Sequence, residues 1–249
     1  MLDALKRGHS HYEAEQNEQA LTAYEQAIFI DPRSAEAYVG KGNALDEMGR
    51  DWEALAAYER AIQLEPENVD AWLGKSFALW LYGGDEESYQ QALKASKRAI
   101  RLAPDNADAY IAKGRALCEL YKYKQALAAF EQAIQLEPEN VDAWLEKSRA
   151  LWLAGEIDVE DYETYQQALE AAERAIQLDP NNAEAYLRKG NALWYLDRNE
   201  EALEACAYAT RLDPDYIDAY EYWGNMLNNL ERKEESQAIY QEALAAFER

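Results

Sequence analysis

The amino-acid sequence predicts an all-α protein built from repeated pairs of helices, and three observations support this fold class. Ala, Leu, Glu and Gln dominate a composition with 49% apolar residues, and the β-branched runs that favour strands are missing. All six prolines stand in one local context at spacings of 34 to 42 residues, a period typical of repeat arrays. The stretch AIQLEPENVDAWL also occurs twice without change, at 61–73 and 133–145.

The prolines define seven repeats when each is taken as the thirty-second place of a unit. The predicted repeats form a single array and cover 1–34, 35–68, 69–106, 107–140, 141–182, 183–216 and 217–249. Each repeat is predicted to contain a first helix, a short turn and a second helix. The second helix ends at the proline, because proline lacks the amide hydrogen that a helix interior requires.

Small and polar residues recur at fixed places in these repeats. The eighth place holds Gly or Ser, and alanine stands twelve and five residues before each proline. Helices approach closely only where side chains are small, so the eighth place and the first alanine predict a tight crossing within the repeat. The second alanine predicts contact with the next repeat. Five first helices are expected to be N-capped, by Ser34, Asn68, Asn106, Asn140 and Asn182.

The order aromatic, glycine, turn, alanine, aromatic, alanine, proline resembles the tetratricopeptide repeat (TPR). The versions KGNAL and AIxLxP are similar to those of microbial members, and the resemblance covers the whole chain. It implies a right-handed superhelical solenoid of seven helix-turn-helix repeats that binds a protein or peptide on its concave face. The duplicated stretch AIQLEPENVDAWL is then a building part, the junction between one second helix and the next first helix.

Charge restricts the partners that this chain can bind. Lys and Arg total 25 against 48 Asp and Glu, which gives a formal net charge of −23. A surface this acidic should repel nucleic acid and anionic membranes, so a charged partner is expected to be basic. Neither a signal peptide nor a segment long enough to span a bilayer is visible, which favours a cytoplasmic location.

No motif in the sequence supports catalysis, a metal or a cofactor. His9 and His11 point to different sides of a helix and make a poor chelate. Cys118 and Cys206 are far apart inside helical patterns and are expected to be buried thiols. We therefore predict a non-enzymatic protein-interaction scaffold. The alternative is a sensor or oligomerisation TPR module of a larger signalling or regulatory protein.

The predicted binding surface is a stripe along the first helices at the fifth, ninth and twelfth places, which share one helix face. Its mixture of apolar, aromatic, amide and guanidinium groups suits a peptide with apolar anchors. The predicted partner-binding residues are Asn43, Phe77, Trp80, Arg115, Arg149, Trp152, Asn191, Trp194 and Asn225.

The three tryptophans of this stripe have a second possible role. In their repeats, the place eight residues before the proline holds Ser96, Ala172 or Cys206 instead of the aromatic residue found in most others. Because cores conserve volume, each indole can fill core space instead of lining a groove.

Two repeats are longer than the others, through insertions at 83–88 and 155–164 that carry acids and tyrosines. Four extra residues amount to about one helical turn, so the insertions are expected to lengthen the second helices. They form either tolerated surface loops or an acidic ridge that suits a basic partner.

The last predicted repeat presents an apolar strip on its second helix, formed by Ile239, Tyr240, Leu244 and Phe247. No further repeat is predicted to cover this strip. It therefore predicts either self-association of the chain or coverage by further sequence in the native protein.

Overall fold

The computed structural model describes residues 1–157 and 162–247, and within these ranges the chain folds into fourteen α-helices. The helices are α1 (Leu2–Glu13), α2 (Asn17–Ile30), α3 (Ala35–Asp46), α4 (Asp51–Leu64), α5 (Val69–Tyr82), α6 (Glu86–Leu102), α7 (Ala107–Glu119), α8 (Tyr123–Leu136), α9 (Val141–Ile157), α10 (Tyr162–Leu178), α11 (Ala183–Tyr195), α12 (Asn199–Leu212), α13 (Ile217–Asn229) and α14 (Lys233–Phe247). No strand occurs in the described residues, and the predicted all-α class with seven helix pairs is confirmed.

The helices form two compact units, Met1–Lys122 with α1–α7 and Tyr123–Arg249 with α8–α14. In each unit every helix packs against the next one along the chain. The first helices of neighbouring repeats also contact each other, α1 with α3, α3 with α5 and α5 with α7 in the first unit. In the second unit α9 contacts α11, and α11 contacts α13. The division between the units falls inside the predicted fourth repeat.

The five predicted N-caps are confirmed. The Ser34 hydroxyl and the side-chain oxygens of the four asparagines each accept a hydrogen bond from the backbone N–H three residues later. These donor–acceptor distances are 2.9–3.2 Å, and each bond satisfies one of the amides that a helix start leaves unpaired. The caps explain why the first helices α3, α5, α7, α9 and α11 begin at the residues predicted from the sequence.

At the fourth place, Trp72, Tyr110 and Trp144 each tie the preceding proline turn to the helix that follows it. The indole N–H of Trp72 donates to the carbonyl oxygen of Pro66 at 3.0 Å, and Trp144 does the same to Pro138 at 2.9 Å. Both partners of each bond lie within the duplicated stretch AIQLEPENVDAWL. The duplicated stretch is therefore a structural junction, as the resemblance implied.

The eighth place of the first helix makes a close contact with the second helix, in two different ways. Where it holds serine, the hydroxyl donates to a backbone carbonyl of the second helix, from Ser76 to Ala92 at 2.9 Å and from Ser148 to Ala168 at 2.8 Å. Where it holds Gly42, the ring of Tyr58 occupies the space that a side chain would need. The predicted contact with the first alanine is therefore present at Ser76 and Ser148, and at Gly42 the ring of Tyr58 makes a close contact.

The insertions extend helices. The second helices α6 and α10 have 17 residues, whereas α2, α4, α8 and α12 have 14. The first insertion thus adds about one turn to α6, as predicted. The second insertion extends the first helix as well, because α9 also has 17 residues. Positions 158–161 of that insertion, which include the acids Asp158, Glu160 and Asp161, lie outside the described residues.

The core consists mainly of alanine and leucine from all the helices. Cys118 and Cys206 are both buried thiols, as predicted, and burial raises the pKa of Cys206 to about 12. Among the described residues, no helix combines the length and the apolar character needed to cross a bilayer.

Candidate functional site

The residues of the predicted stripe along the first helices differ in how deeply their side chains are buried. At its fifth place, Val39, Ile111, Leu145 and Leu187 are buried and belong to the core. The ninth and twelfth places are on average less deeply buried, and the nine predicted partner-binding residues all lie at these two places.

Asparagine occurs at the ninth place of three repeats. Two of these asparagines have a hydrogen-bond partner on the second helix, and Asn191 has none among the described residues. The Tyr58 hydroxyl donates to Oδ1 of Asn43 at 2.9 Å, and the Tyr240 hydroxyl donates to Oδ1 of Asn225 at 2.8 Å. The residue that corresponds to these tyrosines in the repeat of Asn191 is Cys206, which has no hydroxyl. Asn191 is only 2% exposed, and among the described residues neither polar atom of its amide has a hydrogen-bond partner.

Trp152 on α9 belongs to an aromatic cluster in the second unit, which also contains Tyr165, Tyr195 and Tyr222. Its ring meets those of Tyr195 and Tyr222 edge-on, with centroids 6.3 and 6.1 Å apart. Tyr165 from α10 stacks on Tyr195 with a centroid distance of 4.7 Å. Trp152 is half-buried, and within the described chain its indole N–H is a buried donor without an acceptor. We call these four residues the aromatic cluster.

The other predicted residues of the second unit are held in place by packing or by charge. Arg149 donates through Nε to Oε2 of Glu146 at 2.9 Å, and this carboxylate is itself buried at 8% exposure. Trp194 is half-buried and packs against the same core as Trp152. These contacts fix the orientation of both side chains.

In the first unit, Trp80 is the centre of a mixed aromatic and charged group. The guanidinium of Arg115 lies over its ring at 4.8 Å from the centroid, and Phe77 lies beside it at 5.6 Å. The Trp80 indole N–H donates to Oε1 of Glu119 at 3.4 Å. A cation over an indole face is a stabilising contact, so this group is pre-organised in the absence of a ligand. The structure therefore brings Trp80, Phe77 and Arg115 together, and their role in binding stays a prediction.

The first insertion lies beside the end of α7 and forms an acidic pocket of about 470 Å³. Its lining includes Asp85, Glu86 and Glu119 together with Tyr89 and Tyr121. Burial, and the charges of Glu119 and Asp85, raise the pKa of Tyr89. Carboxylates beside aromatic rings suit a Lys or Arg side chain of a partner.

Asp46, at the twelfth place of the second repeat, lies among tyrosines and other acids. Burial raises its pKa to about 6, partly offset by a hydrogen bond from Tyr82, and the neighbouring charges of Glu47 and Asp51 raise it further. In the unfolded chain an aspartate loses its proton at about pH 4. Because the folded state binds this proton more tightly, Asp46 lowers stability as the pH rises from about 4 to about 6.

We expect Asp46→Asn to remove this pH-dependent loss. The stability gained by the variant over the wild type should grow between about pH 4 and pH 6 and stay constant above pH 7. Chemical denaturation across this range measures it. Asp105→Asn, which also removes one negative charge but at an exposed position, controls for the change in net charge. A gain that does not vary with pH would contradict the assignment.

The second helix of the last repeat exposes large apolar side chains. On α14, Phe247 is 80% exposed, Leu244 is 51% exposed and Tyr240 is 38% exposed, whereas Ile239 is buried. These values describe the strip from which self-association was predicted. Self-association itself stays a prediction.

The sequence reasoning missed several residues that the structure places at these sites. Tyr195 and Tyr222 complete the aromatic cluster, and Glu119 accepts the Trp80 hydrogen bond. They lie at the thirteenth and sixth places, just outside the predicted stripe. The available signal was that Tyr195 and Tyr222 are aromatic at places where the other repeats carry Glu, Leu or Asn and Lys, Gly, Ala, Glu or Arg, respectively.

Tetratricopeptide repeat models match most of the chain. A model described as TPR repeat matches residues 8–49, and models described as tetratricopeptide repeat match 35–68, 111–160 and 163–217. The chain is a tetratricopeptide repeat protein. TPR proteins mediate protein–protein interactions, and an architecture of TPR repeats alone is typically non-catalytic.

Solved structures share the TPR fold with this chain. YrrB, a TPR protein with an unusual peptide-binding site, is 24% identical, and the match covers 80% of this chain and 97% of YrrB with a TM-score of 0.53. A tetratricopeptide repeat protein from Parabacteroides merdae is 14% identical over 98% of this chain and 92% of its own, with a TM-score of 0.75. TTC0263 from Thermus thermophilus is 22% identical over 78% of this chain and 98% of its own, with a TM-score of 0.64. No curated protein gives a significant match.

Proposed function

We propose that this TPR protein is a non-enzymatic scaffold that binds an extended peptide segment of a partner protein. The main site in this proposal is the face of the first helices in the second unit, formed by α9, α11 and α13. Trp152 and Asn191 are its central residues, with Arg149, Trp194 and Asn225 around them. Asn43, Phe77, Trp80 and Arg115 form a second contact region on the first helices of the first unit.

The unsatisfied amide of Asn191 is the observation that carries this proposal. A buried amide without hydrogen bonds lowers stability by about 1–3 kcal/mol, so such groups are rare in folded proteins. The asparagines at the same place in two other repeats are satisfied by a tyrosine hydroxyl. An amide carries one acceptor and one donor side, which match the N–H and C=O of an extended peptide backbone that displaces the side chains covering Asn191.

The aromatic cluster indicates the side chains of the peptide. Trp152 and Tyr222 are half-buried and Tyr195 is 39% exposed, so these rings and the unpaired indole N–H of Trp152 suit an apolar anchor next to a carbonyl group. The chain carries a net charge of −23, so basic residues flanking that anchor would be attracted over a distance. The partner is thus proposed to be a protein segment with an apolar anchor and Lys or Arg nearby. YrrB, a TPR protein with a peptide-binding site, supports the choice of a peptide over a small molecule.

Asn191→Leu tests the proposal because it should change stability and binding in opposite directions. Leucine removes the unsatisfied amide, so the free energy of unfolding should rise by about 1 kcal/mol or more. Peptides selected on the wild-type protein from a random library should bind the variant at least about tenfold more weakly, as measured by fluorescence anisotropy. Binding of those peptides by the wild type should also weaken as salt is added, since exposed charges are screened.

Ser76→Ala is the control, because Ser76 lies outside both proposed contact regions. It removes a buried hydroxyl that already donates to the carbonyl oxygen of Ala92, so it should lower stability and leave the affinity of those peptides within about twofold. A destabilised Asn191→Leu protein, or one that keeps the wild-type affinity for the selected peptides, would refute the role of Asn191.

A further inference from the structure

A lysine–glutamate ion pair recurs between neighbouring repeats. The lysine stands at the seventh place of the first helix, and its glutamate stands sixteen residues earlier, on the preceding second helix. The nitrogen–oxygen distances of the four pairs are 2.7 Å for Lys41–Glu25, 2.6 Å for Lys75–Glu59, 3.4 Å for Lys147–Glu131 and 3.1 Å for Lys189–Glu173. A buried or half-buried lysine at this place is thus normally neutralised by a carboxylate.

The pair is missing between α6 and α7, where two lysines meet. Lys113 stands at the seventh place of α7, and the residue sixteen positions earlier is Lys97. Lys113 is half-buried; burial and the charge of Lys97 lower its pKa. Like charges that face each other repel, so this site carries two positive charges where the other four pairs are neutral, and it lacks a carboxylate.

Further cations line the same pocket. Lys94 and Arg101 of α6 join Lys97 and Lys113 around a volume of about 480 Å³, with Leu93 and Ile100 as apolar lining. No acidic residue lines the pocket, and among the described residues none of the four cations has an ion-pair partner. Four unneutralised cations are gathered here on a chain whose net charge is −23.

The duplicated repeat shows that folding does not require these cations. In α10, the helix that corresponds to α6, Glu170 and Glu173 replace Lys94 and Lys97, and Gln177 replaces Arg101. The apolar residues of the two helices remain the same, for example Leu93 and Leu169. The charge of the pocket has therefore changed sign on an unchanged helical framework.

We propose that the pocket between α6 and α7 binds an acidic segment of a partner protein. One carboxylate of that segment bridges Lys97 and Lys113 in the position that glutamate occupies in the other repeats. Further carboxylates pair with Lys94 and Arg101, and aliphatic parts of the segment cover Leu93 and Ile100. A protein segment fits better than nucleic acid, because a phosphate backbone extending beyond the pocket would meet a strongly acidic surface. This site is separate from the peptide site proposed on the first helices.

A fluorescein-labelled hexaglutamate peptide, followed by fluorescence anisotropy at low ionic strength, tests this site. The wild-type protein is expected to bind it. Lys97→Glu restores the lysine–glutamate pair, so it should weaken binding at least about tenfold while thermal stability stays equal or rises. Lys6→Glu, at an exposed position on α1, changes the net charge by the same amount and should leave the affinity within about twofold.

Five results would overturn the proposal. The first is that the wild type does not bind hexaglutamate, and the second is that Lys97→Glu and Lys6→Glu lose affinity equally. The third is that Lys97→Glu keeps the wild-type affinity, and the fourth is that a labelled oligothymidylate binds more tightly than hexaglutamate. The fifth is that inorganic phosphate displaces the peptide completely at a concentration equal to that of the peptide. A pocket for a single anion would not bind a chain of carboxylates more tightly than one anion.

Discussion

Replacing Trp152 with alanine is expected to lower both the stability of the second unit and its affinity for peptide. A fully buried tryptophan contributes about 3–5 kcal/mol, and Trp152 is half-buried, so we expect a loss of about 2 kcal/mol. Part of this loss comes from its edge-on contacts with Tyr195 and Tyr222. The exposed part of the ring and its unpaired N–H belong to the proposed peptide site, so affinity should fall at least about tenfold.

Chemical denaturation and peptide anisotropy measure the two effects on the same protein. Trp52→Ala is the matched control, because Trp52 is 68% exposed on α4 and its removal should change stability by less than about 0.5 kcal/mol. If Trp152→Ala lost about 4 kcal/mol and kept its peptide affinity, the indole would be a core-filling residue, as the volume argument predicts. If stability were unchanged and affinity lost, it would be a ligand contact alone.

The fold of this protein could be predicted in detail because its determinants are local in sequence. The N-caps, prolines and junction aromatics act within six residues of each other, as the bonds from Asn68 to Ala71 and from Trp72 to Pro66 show. These short-range signals recur in most repeats, although the first and last repeats lack a side-chain N-cap, and the copies support one another. The first helices therefore begin where the sequence places them.

The candidate sites depend on pairs of residues that lie far apart in sequence, and this is why they were predicted less well. Asn43, Asn191 and Asn225 look alike along the chain, yet only Asn191 lacks a tyrosine opposite it, fifteen residues further on. The pocket between α6 and α7 is likewise visible only when Lys113 is compared with Lys97. Both features become visible when a residue of a second helix is compared with the residue that faces it on a first helix.

The sixth place of the first helix shows the same dependence. The ring of Tyr58 on α4 lies between Gly42 of its own repeat and Gly74 of the next, and a side chain at either glycine would overlap the ring. The ring of Tyr24 lies between Gly8 and Gly40 in the same manner. In the third repeat the corresponding second-helix residue is Ser96, and the sixth place of the next repeat holds Ala112. Gly40 and Gly74 thus leave room for a tyrosine ring on the preceding second helix, whereas Phe130 on α8 is followed by Glu146 at the sixth place of the next repeat.

Gly74→Ala is consequently expected to destabilise the first unit by about 3 kcal/mol. Alanine ordinarily stabilises a helix interior by about 1 kcal/mol relative to glycine, but the added methyl group here overlaps the Tyr58 ring, which is buried and cannot move aside. Chemical denaturation measures the change.

Ala112→Gly is the matched control at the same place of the next repeat, where the preceding second helix carries Ser96 instead of a tyrosine. There, glycine should cost about 1 kcal/mol, the ordinary helix preference. If Gly74→Ala stabilised the protein, the Tyr58 ring would not be the reason for glycine at this place. If both variants lose stability as expected, the two repeats prefer opposite residues at one equivalent place, because the preceding second helix differs by a single aromatic ring.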